Sequence, residues 1–115
     1  MRKAKQSKLT PAQILLWTHL KELGFRDIEP EYKPFSGRRF RIDLYSESIR
    51  TGWEVDGGMW SGGHRHGKAV EIDNEKLNLC CLNGIYLMRF TNHQVLSGYA
   101  KEFLERHLSR AKQVP

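Results

Sequence analysis

Three acidic residues are spaced so that their carboxylates could share one face of a β-hairpin. Asp43 lies in the segment RFRIDLY, where apolar and charged residues alternate, and Glu54 and Asp56 lie in the alternating segment WEVD. Successive side chains of a strand point to opposite faces, so this period places all three carboxylates away from the apolar face. Like charges held this close repel each other, and a hard divalent cation, which binds carboxylate oxygens, would compensate them.

The turn between these strands sets which carboxylates meet. A polar segment, Ser46–Arg50, separates the strands and predicts a hairpin with Asp43 opposite Glu54, their Cβ atoms roughly 5 Å apart. A slip of one residue would turn the carboxylates to the other face. The alternative is that they are ordinary surface acids, since charged residues mostly stay exposed.

A glycine-rich loop follows the second strand. The segment Gly57–Gly67 reads GGMWSGGHRHG and holds five glycines in eleven residues. Such a loop lets the backbone approach a ligand closely, and its histidines could carry protons or contact phosphate. Its tryptophan could stack on a base or plug the sheet. The candidate residues in and after the loop are Trp60, His64, Arg65, His66 and Lys68.

The sequence before and after this hairpin predicts further strands and helices that could support it. Thr10-Pro11 begins a helix, with Gln13 completing a capping box, and Gly24 ends it. A short strand, Ile28–Tyr32, is predicted at a sheet edge because Pro30 cannot donate a ladder hydrogen bond.

Three more elements follow the loop. A helix is predicted over Ala69–Asn83, and an almost continuously apolar strand, Ile85–Phe90, is predicted to be buried on both faces. An amphipathic helix runs from about Val95 to Lys112. The order α-β-β-β-α-β-α predicts an α/β (α+β) domain with a mixed β-sheet flanked by helices.

Composition limits the classes of protein that need consideration. The 115 residues predict a basic flexible arm, residues 1–9, and one domain, residues 10–115. A net charge of +6 favours a polyanionic partner. The only cysteines, Cys80 and Cys81, are adjacent, which argues against a disulfide framework and fits a reducing cytoplasm. No apolar run approaches a membrane span of ~20 residues, and the basic N-terminus lacks a secretory apolar region.

The order of these elements and motifs resembles the PD-(D/E)XK nuclease superfamily, with its restriction-endonuclease-like core. An Asp on one strand is followed by an E-x-(K/E/D) tripeptide on the next. The closer likeness is to small one-domain members, the very-short-patch-repair-type and related phage endonucleases. It covers most of the chain from Pro11 on and is carried by RIDLY, WEVDGGMWSGGHRHG, EIDNEKLN and NGIYLMRFTNHQV.

The resemblance implies roles for the carboxylates. It makes Asp43 and Glu54 ligands of Mg²⁺ or Mn²⁺ and catalytic residues. Asp56 occupies the position at which many members carry the catalytic lysine, and it is expected to join the metal ligands. Related proteins often carry Glu in the first helix near the metal, where this chain has Gln13.

The lysine missing at position 56 leaves the proton-handling group open. Lys76, His64 and His66 are the expected substitutes. The implied activity is metal-dependent hydrolysis of DNA phosphodiester bonds in a bacterial or phage-infected cell. DNA is expected to contact basic and aromatic residues, and a second copy or a partner protein could be needed to cut both strands. These nucleic-acid-binding candidates are Arg38, Arg39, Arg41, Trp60, Arg65 and Lys68.

Three alternatives remain open from the sequence. The first is a DNA-binding module of the same fold that has lost catalysis. The second is a zinc site formed by His64, His66, Cys80 and Cys81. Adjacent cysteines on a helix point about 100° apart, so they cannot easily converge on one tetrahedral zinc ion. The third is a glycosidase built on paired carboxylates, for which the net charge of +6 is unfavourable.

Overall fold

The structure, a computed structural model, describes residues 8–57 and 67–112. Its sheet has the strand order β1-β2-β3-β4; the first two pairings are antiparallel, and β3 pairs with β4 in parallel. This confirms the predicted mixed sheet flanked by helices. The elements are α1 (Pro11–Glu22), β1 (Ile28–Tyr32), β2 (Ile42–Ser46), β3 (Thr51–Asp56), α2 (Lys68–Leu82), β4 (Tyr86–Thr91), α3 (Asn92–Leu96) and α4 (Tyr99–Lys112).

Helix α1 begins where the sequence predicts. The Thr10 hydroxyl accepts a hydrogen bond from the Gln13 backbone N–H, and the Gln13 side chain accepts one from the Thr10 N–H. These two bonds satisfy donors that a helix start otherwise leaves unpaired. Gln13 therefore serves as part of the helix cap.

The hairpin of β2 and β3 has the predicted register. Leu44 pairs with Trp53, and Tyr45 pairs with Gly52. Continued by one residue, this register sets Asp43 opposite Glu54. The apolar and polar alternation specifies it because a shift of one residue would expose Trp53, which is fully buried.

Asp27, just before β1, holds the turn of this hairpin. Its carboxylate accepts hydrogen bonds from the Ser46 hydroxyl at 2.8 Å and the Ser48 backbone N–H at 3.0 Å. Burial acts to raise the pKa of Asp27, but these hydrogen bonds act more strongly in sum and lower it. The turn that aligns the two strands is thus tied to the residue preceding β1.

Helices cover the two faces of the sheet unequally. One face carries the larger core, in which α1, α3 and α4 pack against the sheet residues Leu44, Trp53 and Phe90. The smaller cluster on the other face joins Cys80 of α2 to Ile42 and Tyr45. The face under α2 has room for polar side chains, and the candidate carboxylates lie there.

Strand β2 departs from strict alternation. The sequence predicts that Phe40, Ile42 and Leu44 share one apolar face, but the strand begins at Ile42. Ile42 and Leu44 pack in different clusters on opposite faces. The facing strand is irregular at the same level, since Glu31 has a φ of 50° between the two paired residues Pro30 and Tyr32.

Two predictions in the C-terminal part need correction. The apolar strand is β4, which lies at the sheet edge and leaves Tyr86 70% exposed, so it is not buried on both faces. The predicted last helix is two helices, α3 and α4, because the chain bends at Ser97 and Gly98, where Gly98 has a φ of 93°. None of the helices that the structure describes is long and apolar enough to cross a membrane.

Alkaline pH should destabilise the fold through Tyr45. Burial of this side chain, which is 0% exposed, raises its pKa to about 12, against about 10 in an unfolded chain. The neutral phenol is therefore favoured by folding, and its contribution is complete below pH 10 and lost as the pH rises toward 12. The loss is on the order of 2–3 kcal/mol.

Urea unfolding measured between pH 8 and pH 12 would check this expectation. Tyr45→Phe cannot ionise, so its free energy of unfolding should fall less over the same range. A parallel decline in both proteins would contradict the assignment to Tyr45.

Candidate active site

A polar cleft lies between the sheet and helix α2. Strands β2 and β3 contribute Asp43, Glu54 and Asp56, which the sequence placed on one face. Helix α2 and strand β4 add charges of both signs. The lining residues are Arg41, Asp43, Glu54, Val55, Asp56, Asp73, Lys76 and Arg89.

Glu54 lies at the centre of this cleft and is 8% exposed. Its Oε2 accepts a hydrogen bond from the Lys76 ammonium, and its Oε1 accepts one from Arg89 Nε at 3.0 Å. A buried carboxylate needs such partners because its desolvation is costly. Both oxygens of Glu54 are therefore held by cations from different elements.

Lys76 reaches the cleft from the middle of helix α2. Besides Glu54, its ammonium donates to the backbone carbonyl of Arg41 at 2.7 Å. The side chain is 12% exposed, so its charge acts in a partly water-excluded site. Helix α2 thus places a lysine beside strand β3, which carries Asp at position 56.

Asp43 performs a backbone role as well as contributing charge. Its Oδ2 accepts a hydrogen bond from the Val55 N–H at 2.9 Å, beyond the last β2–β3 residue pair, Leu44 with Trp53. The carboxylate takes the place that a main-chain carbonyl would occupy in a continued ladder. This bond fixes Asp43 against the strand that carries Glu54.

Substitutions of Asp43 should separate its charge from this bond. Asp43→Ala leaves the Val55 N–H without its partner and should cost about 1–3 kcal/mol of stability. Asp43→Asn keeps an acceptor oxygen and should cost about 1 kcal/mol or less. Urea denaturation followed by circular dichroism measures both, with the exposed Asp56→Asn as the control. Equal losses for Ala and Asn would contradict this role of the bond.

Two charged residues of the cleft, Asp73 and Arg89, were not among the predicted site residues. Asp73 on α2 accepts two hydrogen bonds from the guanidinium of Arg89 on β4, at 2.9 and 2.7 Å. The hydrogen bonds to Asp73 raise the pKa of Arg89 further above its usual value, and Glu54 contributes in the same direction. The signals were present in the sequence, because Arg89 is the one charge in an apolar strand and Asp73 shares a helix face with Lys76.

The predicted DNA-contacting arginines differ in their surroundings. Arg38 forms an ion pair with Glu75 at 2.7 Å, and Arg41 lies 3.6 Å from Glu31 at the rim of the cleft. Arg39 is exposed and makes no ion pair with any residue in 8–57 or 67–112. Surface pairs of this kind contribute little, so all three side chains can turn to a phosphate.

Of the remaining predicted site residues, the structure describes only Lys68. Lys68 is exposed at the start of α2 and does not line the cleft. Most of the glycine-rich loop lies outside the described residues. The predictions that fall there concern Trp60, His64, Arg65 and His66, and most of the predicted arm, residues 1–7, also lies outside.

The donor set of the cleft suits a hard divalent cation in its chemistry. Asp43, Glu54 and Asp56 offer carboxylate oxygens, which Mg²⁺ and Mn²⁺ prefer. Within residues 8–57 and 67–112, however, no three His, Cys, Asp or Glu side chains are grouped as a ready-made metal site. Both oxygens of Glu54 face cations in the same cleft.

The surroundings of the two cysteines do not support the zinc site considered as an alternative. Cys80 is 1% exposed in the smaller hydrophobic cluster, whereas Cys81 is exposed. Burial raises the pKa of the Cys80 thiol, which disfavours the thiolate that zinc binds.

The size of the cleft favours a small anionic group over a large ligand. Its volume is about 210 Å³, below the roughly 300–1,000 Å³ of pockets that enclose small-molecule ligands. Cations line it beside carboxylates, and it opens to solvent. A phosphate group of a longer chain could enter while the rest of that chain lies on the surface.

Comparison with known proteins identifies the fold. No known protein family matches the chain, and no curated protein matches it in sequence. Among solved structures, it is similar to the catalytic domain of the homing endonuclease I-Bth0305I, with a TM-score of 0.65 and 14% sequence identity. The match covers 92% of this chain and 99% of that domain. The chain therefore shares the fold of that catalytic domain.

Proposed function

We propose that the protein is a metal-dependent DNA endonuclease of the PD-(D/E)XK type. The observation that carries this proposal is the contact between Lys76 and Glu54 beside Asp43. It brings a lysine to the acidic cleft although position 56 is Asp. The similarity to an endonuclease catalytic domain and the net charge of +6 support the same reading.

The metal would be held by Asp43, Glu54 and Asp56, because each oxygen of Glu54 keeps a second lone pair besides the one that faces Lys76 or Arg89. When bound, Mg²⁺ or Mn²⁺ lowers the pKa of a coordinated water and offsets negative charge on the phosphate. Asp43 is fixed by its bond to the Val55 N–H, so one side of this ligand set is rigid before any ion binds. Rigid placement reduces the reorganisation that binding would otherwise require.

Lys76 supplies the positive charge that the chain itself brings to the phosphate. Its ammonium lies between Glu54 and the Arg41 carbonyl, and it has three donors, so one can reach a phosphate oxygen. A cation placed where charge develops in a partly dry site stabilises the transition state strongly. His64 and His66 remain predicted proton carriers outside the described residues.

The DNA backbone would run past the rim of the cleft near the β1–β2 connection. Arg41, which lines the cleft, and the exposed Arg39 would contact phosphates flanking the reacting one. Binding through such contacts should weaken as salt is raised, because bound phosphates release counterions. One cleft per chain cuts one strand, so cutting both strands would take a second copy or a partner protein.

A cleavage assay tests the proposal. The protein is incubated with supercoiled plasmid and with labelled linear, mismatched and branched duplexes in Mg²⁺, Mn²⁺ or EDTA. Cutting should require the metal and fall by at least about 100-fold in Glu54→Gln. Glu22→Gln, an exposed change on α1, is the matched control.

Two results would count against it. Cutting that persists in EDTA or in Glu54→Gln would come from a different site or a contaminant. Salt-sensitive DNA binding without cutting on any substrate would instead support a DNA-binding module that has lost catalysis.

A further inference from the structure

A second pair of charged residues lies in the cleft beside the carboxylates proposed to bind the metal. Asp73 and Arg89 face each other between helix α2 and strand β4, joined by two hydrogen bonds of 2.7 and 2.9 Å. Two parallel bonds between a guanidinium and a carboxylate fix the plane of the arginine as well as its position. This pair orders a side chain that would otherwise have several rotamers.

The ordered guanidinium presents its Nε–H donor to Glu54. Residues 54 and 89 are direct neighbours across the parallel pairing of β3 and β4. Arg89 Nε donates to Glu54 Oε1 at 3.0 Å while Lys76 holds Oε2. The chain of contacts therefore runs from Asp73 through Arg89 to Glu54.

We propose that Arg89, held by Asp73, is a positioning residue that orients the Glu54 carboxylate. This inference rests on the proposed nuclease function and extends it to residues behind the reacting groups. Fixing Oε1 from the β4 side leaves the carboxylate few orientations, so Glu54 stays aligned with Asp43 and Lys76. Small misplacements of such groups reduce a reaction rate strongly.

The geometry distinguishes positioning from simple charge balance. Lysine at position 89 keeps the positive charge but cannot form two bonds to Asp73 and a third, directed bond to Glu54. If Arg89 only neutralises Glu54, Arg89→Lys should retain activity. If Arg89 positions Glu54, the same variant should lose activity although its charge is unchanged.

Kinetics of four proteins test the inference: the wild type, Arg89→Lys, Asp73→Asn and the double variant. We expect kcat to fall at least 10-fold in Arg89→Lys, with KM for DNA within about 3-fold of the wild type. The double variant should be no slower than the slower single variant, because both changes break one chain of contacts. Arg26→Lys, an exposed substitution, is the matched control and should retain wild-type kinetics.

A structural role alone would give a different pattern. If the pair merely attaches α2 to the sheet, Arg89→Lys should lower DNA affinity and thermal stability together with kcat. Such a coupled loss, or full activity in Arg89→Lys, would overturn the inference. Either result leaves metal-dependent cutting by the wild type intact, so it is distinguishable from failure of the proposed function.

The inference can also be tested by a measurement that does not depend on activity, in case the protein cuts none of the substrates. The ¹⁵N relaxation of the Arg89 Nε–H group in the wild type should show a rigid side chain, with an order parameter of about 0.85. In Asp73→Asn it should become mobile. A mobile Arg89 in the wild type would refute the positioning role whether or not the protein cuts DNA.

Discussion

Lys76→Met should reduce the rate of metal-dependent DNA cutting by about 100- to 1,000-fold. The substitution removes the ammonium group that contacts Glu54 and leaves a side chain of similar length. The developing charge on the phosphate then loses a nearby donor in a partly buried site. Single-turnover nicking of supercoiled plasmid at saturating Mg²⁺ measures this rate directly.

Lys21→Met is the matched control for this substitution. Lys21 lies over the Trp17 ring on helix α1, outside the cleft, so its loss should leave the rate unchanged. Circular dichroism should show Lys76→Met folded, with a stability loss of about 1–3 kcal/mol from the broken contacts. A folded Lys76→Met protein that cuts within 3-fold of the wild type would contradict the proposed role of this lysine.

Trp53→Ala should lower the free energy of unfolding by about 3–5 kcal/mol. Trp53 is fully buried in the larger core and contacts the Phe25 ring, with centroids 5.9 Å apart. Removal of the indole leaves a cavity that the surrounding residues fill only in part. A domain of this size has roughly 5–15 kcal/mol of stability in total, so the variant should be close to unfolding.

Urea denaturation followed by circular dichroism measures this loss. Trp17→Ala provides the matched control, because Trp17 is only partly buried against the same core and should cost less. Trp53 also precedes Glu54 on β3, so a loosened strand would shift the cleft. A loss below about 1 kcal/mol in Trp53→Ala would contradict its place at the centre of the core.

Local patterns were sufficient for much of the architecture. The capping box at Thr10 and the proline at position 11 specify the start of α1, since both act within one turn of helix. Pro30 restricts β1 to an edge position, which the strand order confirms. Alternation in β3 was enough for the hairpin register because a slip would expose Trp53.

Other features of the fold could not be predicted from local sequence patterns. An apolar run such as that of β4 predicts a strand, but it does not tell whether another strand pairs on its far side. The break at Gly98 divides one amphipathic pattern into α3 and α4 without changing its period. The crossing of Ile42 to the face opposite Leu44 depends on the neighbouring strand, where Glu31 has a positive φ.

The sequence by itself determined which carboxylates share a face, because the two-residue period and the turn place Asp43 beside Glu54 with no long-range information. Only the tertiary structure decided which cations meet them. Lys76 and Arg89 approach Glu54 from a helix and a strand that are distant in the chain. Their approach depends on how α2 crosses the sheet and on the parallel pairing of β3 with β4. Those arrangements arise from packing of the whole domain, which no local spacing encodes.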